Sequence, residues 1–230
     1  MNLFRSLSII LFSLTVIGAF LSQIVPFFTK NYLKSKITCS SLFLLTGISA
    51  ALSFDEPTHY STLIIAALFF GLLGDFWLDY KKHKYFFLGV SFFSIGHLIY
   101  LVTFIFIREP SLTPYCKQII IGFLVLCVAA VIEVISDKIR FPKGQRIMIA
   151  YSFLLMFSFI FAVARGVVSI IKGNSAFGIC LVSAGGLFLL SDTFLAASLY
   201  GKPKFKCNDK LVLFTYFPAQ ALFALSILFQ

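Results

Sequence analysis

Two aspartates, Asp75 and Asp192, lie inside long apolar stretches of the sequence. A carboxyl group held within a membrane costs several kcal/mol, so such groups usually line a cavity or a functional site. Two carboxyls in one site can divide into a protonated and a charged group, which is the arrangement that acid–base hydrolysis needs. If the protein is an enzyme, these two are its predicted catalytic residues. The alternative is that they only hydrogen-bond to neighbouring helices.

Polar side chains in other apolar stretches are predicted to face the same interior. Tyr100 follows His97 by three positions and Gln220 follows Tyr216 by four, so each pair shares one face of a helix. Hydroxyl, imidazole and amide groups can position water or hold the oxygens of a substrate by hydrogen bonds. Single membrane His and Tyr residues are also often satisfied interior groups or interface aromatics. The predicted substrate-binding residues are His97, Tyr100, Tyr151, Ser191, Tyr216 and Gln220.

Metal-ligating residues are few and scattered. Of the three histidines only His97 lies well inside an apolar stretch, and the five cysteines form no CxxC pair. A membrane zinc hydrolase needs a cluster of His ligands, and neither an HExxH pair nor a GxSxG elbow occurs in the sequence. We therefore predict chemistry without a metal or other cofactor.

The elements that must position these residues are membrane-spanning helices. Hydrophobic residues make up 60% of the 230 residues, and thirty of them are Phe, which is too much apolar surface for one water-soluble core. A spanning helix needs about 20 mostly apolar residues. The sequence predicts an all-α polytopic membrane protein with one domain over residues 1–230. Its eight predicted spans are 6–28, 37–54, 60–80, 85–107, 117–136, 147–171, 176–200 and 210–229.

The basic residues predict how these spans are oriented. Most of the nineteen Lys and Arg residues lie on alternate connections, near residues 30–36, 81–84, 138–146 and 202–210. Cytoplasmic loops carry such an excess, so both termini are predicted to face away from the cytoplasm. The net charge of +10 is explained by these loops, so no nucleic-acid partner is predicted. We expect a multi-pass protein of a bacterial inner membrane, surrounded by membrane lipids.

The two aspartates are predicted to meet at one depth. On this topology the third and seventh spans run in the same direction, and Asp75 and Asp192 lie roughly 8 Å and roughly 12 Å from their cytoplasmic ends. The carboxyls are therefore expected to face one another across a cavity near the cytoplasmic leaflet. Their offset of 117 positions, with Gly74 aligned to Ser191, also suggests a repeat of four plus four spans.

Four segments with this order and spacing resemble the YhhN family, the lysoplasmalogenases, over residues 61–230. The similarity is carried by Gly71-Leu-Leu-Gly-Asp75, Gly96-His97-Leu-Ile-Tyr100, Gly186-Leu-Phe-Leu-Leu-Ser191-Asp192-Thr-Phe-Leu-Ala196 and Tyr216-Phe-Pro-Ala219-Gln220. The family has a Lys-Pro pair at the start of the second helix, where this chain has Lys36-Ile37. That departure weakens the case for a role of Lys36.

The resemblance implies hydrolysis of the vinyl ether bond of lysoplasmalogens, giving a fatty aldehyde and a glycerophospho head group. The implied partner is a lysophospholipid substrate, and the sequence does not predict an oligomeric state. Protonation of a vinyl ether creates an oxocarbenium-like cation, which a carboxylate can stabilise. Two other hypotheses stay open: a proton-coupled transporter that uses the same aspartates, and a lipid-binding membrane protein without chemistry.

Overall fold

The computed structural model describes residues 3–24, 32–78, 83–106, 146–200 and 208–230, and this part of the chain consists of helices and short connections, with no strand. The predicted all-α fold is confirmed for these residues. The helices are α1 (Leu3–Ile24), α2 (Tyr32–Ala51), α3 (His59–Leu78), α4 (His83–Phe106), α5 (Arg146–Ile171), α6 (Ser175–Tyr200) and α7 (Asn208–Ser226), which continues as a 3-10 turn over Ile227–Phe229.

Each of these helices matches one predicted span within a few residues. Six of them are long and apolar enough to cross a membrane, as a multi-pass membrane protein requires. In α2 the apolar stretch found among the described side chains is shorter, Lys36–Ala51. The predicted span 117–136 lies outside the described residues. The count of eight spans, the internal repeat and the single domain therefore stay predictions.

Helix α7 lies at the centre of the bundle. It packs against α6, α2, α1 and α3, while consecutive helices pair along the chain as α1 with α2, α3 with α4 and α5 with α6. Most of α7 is buried, whereas α1 exposes large apolar side chains such as Ile10 and Ile17, as expected for a lipid-facing helix. Pro218 lies inside α7 and removes one backbone donor from its middle.

Glycines allow two helix pairs to approach closely. A Cβ on Gly178 of α6 would lie 2.3 Å from the carbonyl oxygen of Gly166 on α5, which no side chain can tolerate. A Cβ on Gly74 of α3 would lie 2.7 Å from the ring of Phe93 on α4. Small residues at such contacts are typical of membrane helix packing. They bring α4 close to α3, which carries Asp75, and α5 close to α6, which carries Asp192.

The bundle has two distinct ends. We call the end with connections 52–58 and 172–174 the short-loop end. It also holds the last residues, since Thr58 Oγ1 donates to Gln230 Oε1 at 2.6 Å and Asn174 Nδ2 donates to the Phe229 carbonyl oxygen at 2.7 Å. We call the opposite end, where α2, α4, α5 and α7 begin and the basic connections attach, the basic end.

Candidate active site

A cavity of about 100 Å³ lies between the helices near the basic end. Its apolar wall includes Phe93 of α4 and Phe188 of α6, and its polar groups come from five helices. Five of the eight predicted site residues line it. The polar lining residues are Lys36 of α2, Asp75 of α3, Tyr151 of α5, Ser191 and Asp192 of α6, and Tyr216 of α7.

Asp75 is the most strongly bonded group in this cavity. Its side chain is 2% exposed, and its Oδ1 lies 3.3 Å from the Lys36 ammonium. Its Oδ2 accepts hydrogen bonds from Ser40 Oγ at 2.5 Å and from Tyr216 Oη at 2.9 Å. Hydrogen bonds to an ionised group are stronger than those between neutral groups. A cation and two hydroxyl donors therefore hold Asp75 in one orientation and compensate its negative charge.

Lys36 and Ser40 are the two site residues that the sequence analysis missed. They are four positions apart on α2, so both point at Asp75 from one helical face. The absence of the family's Pro after Lys36 had weakened the case for a role of this lysine. In the structure, however, the Lys36 side chain is only 6% exposed and forms an ion pair with Asp75. The available signal in the sequence was Lys36 near the start of an apolar helix, followed one turn later by the hydroxyl residue Ser40.

Asp192 enters the same cavity from α6 with different partners. Its Oδ2 accepts a hydrogen bond from Tyr151 Oη, and no ion pair to Asp192 occurs within the described residues. The neighbouring Ser191 donates instead to the Val212 carbonyl oxygen at 3.1 Å and so ties α6 to α7. Asp75 and Asp192 thus line one cavity, the first beside a cation and the second beside a phenol.

A chain of hydrogen bonds runs from Asp75 into the bundle. Tyr100 Oη donates to Gln220 Oε1 at 2.7 Å, and Gln220 Nε2 donates to Tyr216 Oη at 3.4 Å, so that the Tyr216 proton is directed to Asp75. Tyr100 and Gln220 are fully buried behind Tyr216 and do not line the cavity. Their geometry suits them to orient Tyr216 rather than to contact a substrate.

His97 also lies behind the cavity wall. Its ring contacts the rings of Phe188 and Tyr151, with centroids 4.6 Å and 5.6 Å apart, and its Nδ1 lies 2.9 Å from Ser158 Oγ. Within the described residues its Nε2 has no hydrogen-bond partner. The structure therefore places His97 where it supports Tyr151, and not among the residues that line the cavity.

Comparison with known proteins places this arrangement in a family. The YhhN family model matches residues 33–227, which is most of the chain. The chain belongs to the YhhN family. A lysoplasmalogenase homolog from Dictyostelium discoideum is 34% identical over 74 residues, which are 32% of this chain and 23% of that protein. The aligned part is thus under a quarter of that relative's length, and no solved structure matches.

The family match starts at residue 33, whereas the resemblance noted from the sequence covered only residues 61–230. Lys36 and Ser40 therefore lie within the region that matches the YhhN family. Across the part of the chain that is described, no three His, Cys, Asp or Glu side chains lie close enough to hold a metal ion. Chemistry without a metal stays a prediction. The groups that the cavity does offer are two carboxyls, an ammonium, two phenols and a hydroxyl, which suit proton transfer and charge stabilisation.

Proposed function

We propose that this YhhN family member is a membrane hydrolase that cleaves the vinyl ether bond of lysoplasmalogens. The products are a fatty aldehyde and a glycerophospho head group. The observation that carries the proposal is one cavity lined by two carboxyls from separate helices, Asp75 and Asp192, with different partners. The family, together with a relative named lysoplasmalogenase homolog, supports the choice of substrate.

In this proposal Asp192 is the acid. It has a phenol beside it and no cation among its described partners, so it can hold a proton in a site of low polarity. It delivers that proton to the alkene carbon one bond away from the ether-bearing carbon. The vinyl ether then becomes an oxocarbenium ion, whose positive charge is shared between the carbon and the ether oxygen. Tyr151 orients the Asp192 carboxyl during this step.

Asp75 is the charged partner. Lys36, Ser40 and Tyr216 hold it as a carboxylate, which can stabilise the cation and take a proton from an attacking water. The water oxygen bonds to the carbon of the oxocarbenium ion and gives a hemiacetal. As the hemiacetal collapses, Asp75 gives its newly acquired proton to the glycerol oxygen, the carbon–oxygen bond to glycerol breaks, and Asp192 takes the hydroxyl proton of the hemiacetal. Both carboxyls thereby return to their starting protonation states. One water is consumed, and an aldehyde and an alcohol are released. The related two-carboxylate solution of glycosidases follows the same physical logic.

The basic end suits an anionic substrate. In the sequence Lys30 precedes α2 and Lys81 and Lys82 precede α4, while Lys34 and Lys84 lie in the first turns of these two helices. A polybasic surface attracts phosphate groups. On the positive-inside rule this end faces the cytoplasm, which would give the cavity access to lipids of the cytoplasmic leaflet. We include this orientation in the proposal.

The deciding experiment compares two lipids on the purified protein in maltoside micelles. A lysoplasmalogen and its saturated alkyl-ether analogue differ only in the double bond, and aldehyde release is followed with and without a chelator. Aldehyde from the vinyl ether alone, unchanged by chelator, is expected. No aldehyde from correctly folded protein would refute the hydrolase and favour the proton-coupled transporter, which can be tested by substrate uptake into proteoliposomes.

Three Asp→Asn variants assign the activity to the cavity. We expect Asp75→Asn and Asp192→Asn each to lower turnover at least about 1,000-fold, since each removes a proton carrier or a stabilising charge. Asp55→Asn is the matched control, because Asp55 is exposed on connection 52–58 at the other end of the bundle. Full activity in both cavity variants would contradict the carboxylate mechanism.

A further inference from the structure

Lys36 has hydrogen-bonding capacity that its partner Asp75 does not use. An ammonium carries three N–H donors and no acceptor. Within the described residues, the one group that contacts Lys36 Nζ is Asp75 Oδ1, at 3.3 Å, and a single oxygen engages one of the three donors. The Lys36 side chain is only 6% exposed, so bulk water does not satisfy the others. Lys36 lines the candidate active cavity, and its remaining donors are available to a molecule bound there.

The cavity wall itself supplies no second acceptor for this ammonium. Besides Lys36 and Asp75, the polar side chains that line the cavity are Tyr151, Ser191, Asp192 and Tyr216. Each of them already takes part in a hydrogen bond, and none contacts Lys36 in the part of the chain that the structure describes. A buried charged donor without an acceptor costs free energy. The missing acceptor is therefore expected to be water or an oxygen atom of a bound substrate.

Lys36 reaches Asp75 from the side of the basic end. Helix α2 begins at that end, and Ser40, one turn further along it, bonds to the other oxygen of the same carboxyl. Side chains of a helix lean towards its N-terminus, so the long Lys36 stem runs back towards the basic end. Lys36 lines the cavity, whereas Ser40 does not. The ammonium thus lies on the side of Asp75 that a polar head group would occupy.

The substrate of the proposed function has an oxygen suited to this position. With the vinyl ether between Asp75 and Asp192 and the head group towards the basic end, the glycerol lies beside Lys36. The central glycerol carbon of a lysolipid carries a free hydroxyl, whose oxygen can accept a hydrogen bond. A hydroxyl needs about the space of one water, which a cavity of about 100 Å³ can provide next to the double bond. A phosphate is larger, and beside Asp75 it would meet a like charge.

We propose that Lys36 is a substrate-binding residue, which donates a hydrogen bond to the central hydroxyl of the lysolipid glycerol and keeps its ion pair with Asp75. This inference rests on the proposed function and names the group that positions its substrate. One cation then holds both the carboxylate and the glycerol, and so fixes the vinyl ether relative to Asp75. Holding reacting groups in a fixed geometry is a large source of rate enhancement.

The test removes the ammonium and the hydroxyl separately and together. Aldehyde release by the purified full chain is measured on a lysoplasmalogen and on its deoxy analogue, in which hydrogen replaces the central hydroxyl. In the wild type the deoxy analogue is expected to lower kcat/KM about 10- to 100-fold, the value of a hydrogen bond to a charged group. In Lys36→Met the two lipids are expected to react with equal kcat/KM, because the partner of the hydroxyl is gone.

Ser40→Ala is the matched control. Ser40 bonds to Asp75, as Lys36 does, but it does not line the cavity. Its replacement is expected to lower kcat/KM on both lipids by one common factor, so the preference for the hydroxyl persists. A lysine that only held Asp75 would behave in the same way. Loss of the preference in Lys36→Met alone therefore identifies contact with the substrate.

A third lipid separates the hydroxyl from the phosphate. An alkenylglycerol keeps the vinyl ether and the central hydroxyl but has no phosphate. The loss of kcat/KM that Lys36→Met causes is expected to be equal on this lipid and on the lysoplasmalogen. A loss that disappears without the phosphate would instead assign Lys36 to the phosphate and overturn the proposal.

Binding gives a second measurement that does not depend on turnover. The saturated alkyl-ether lysolipid and its deoxy analogue are added to Asp75→Asn and to the Asp75→Asn/Lys36→Met double variant. In this background removal of the ammonium leaves no unpaired carboxylate, so the double variant is expected to fold. Protection against thermal unfolding gives each Kd. The hydroxyl is expected to tighten binding about 10- to 100-fold in Asp75→Asn and to have no effect in the double variant.

The outcomes separate this inference from the hydrolase itself. Loss of the hydroxyl preference on removal of Lys36, with its retention in Ser40→Ala, supports the proposal. An equal preference with and without Lys36, or no preference in the wild type, would overturn it, while aldehyde release by the wild type would still support the hydrolase. If no lipid yields aldehyde, the hydrolase is refuted, and the binding measurement still decides whether Lys36 holds the hydroxyl.

Discussion

Replacement of Lys36 by Met tests how Asp75 is held. The change keeps the length and much of the apolar volume of the side chain but removes the ammonium 3.3 Å from Asp75 Oδ1. At an effective dielectric constant of about 20, two unit charges at that distance attract by about 5 kcal/mol. Desolvation offsets part of this attraction, and breaking a buried pair typically costs 3–5 kcal/mol. Because Ser40 and Tyr216 still bond Asp75, we expect a loss of about 3 kcal/mol, at the lower end.

Fluorescence of Trp77, the single tryptophan, reports unfolding two residues from Asp75. For a chain of this size a loss of about 3 kcal/mol lowers the unfolding midpoint by about 6–12 °C. The same change is then made in an Asp75→Asn background, where Lys36 has already lost its counter-ion. There we expect Lys36→Met to be neutral or stabilising, which gives a coupling free energy of about 2 kcal/mol or more. An equal loss in both backgrounds would refute the ion pair as the reason why Lys36 is buried.

Three other predictions rest on contacts at or near the cavity. Tyr216→Phe removes a direct donor to Asp75 and should lower turnover about 10- to 100-fold. Tyr100→Phe acts through Gln220, so it should cost about 1–3 kcal/mol of stability with a smaller loss of turnover. Equal losses of turnover in the two variants would show that Tyr100 is not merely a positioning residue. Tyr151→Phe should reduce turnover but leave unchanged the coupling free energy between Lys36 and Asp75. Loss of that coupling, measured with the same Lys36→Met and Asp75→Asn variants, would contradict the view that Asp75 and Asp192 are held by separate partners. Gly178→Ala should destabilise by about 1–3 kcal/mol because its Cβ meets the Gly166 carbonyl oxygen. Gly186→Ala, whose Cβ meets nothing within 4 Å, should leave the unfolding midpoint unchanged or raise it slightly, because alanine favours a helix over glycine.

The sequence predicted the helices and the cavity far better than the contacts within it. Long apolar runs set the positions of the spans, because hydrocarbon thickness leaves little choice of helix length. Counting residues from the basic loops also gave Asp75 and Asp192 similar depths, and both line one cavity. The spacing of residues along the sequence does not determine how each helix is rotated about its own axis. For this reason His97 and Tyr100 were expected to line the cavity, whereas they pack behind its wall.

The missed residues show a different limit. Lys36 lies at the boundary between a basic connection and an apolar helix, where a lysine usually extends to the interface with its ammonium in water. Only the position of α3 against α2 turns it inward to Asp75. Ser40 is similar, since a serine in a membrane helix most often bonds to its own backbone. The sequence of one helix does not show which side chains of another helix it will contact, so the bonds from α2 to Asp75 could not be predicted.

The size of the candidate active cavity has a consequence for selectivity. About 100 Å³ can admit the reacting double bond and a few waters, but not a long aliphatic tail. The tail of any bound lipid must therefore continue between helices into the bilayer. In the proposed reaction, extending the tail by methylenes should then change catalytic efficiency little, whereas a methyl branch on an alkene carbon should lower it, because a cavity of about 100 Å³ walled by Phe93 and Phe188 has little space beyond the double bond and water.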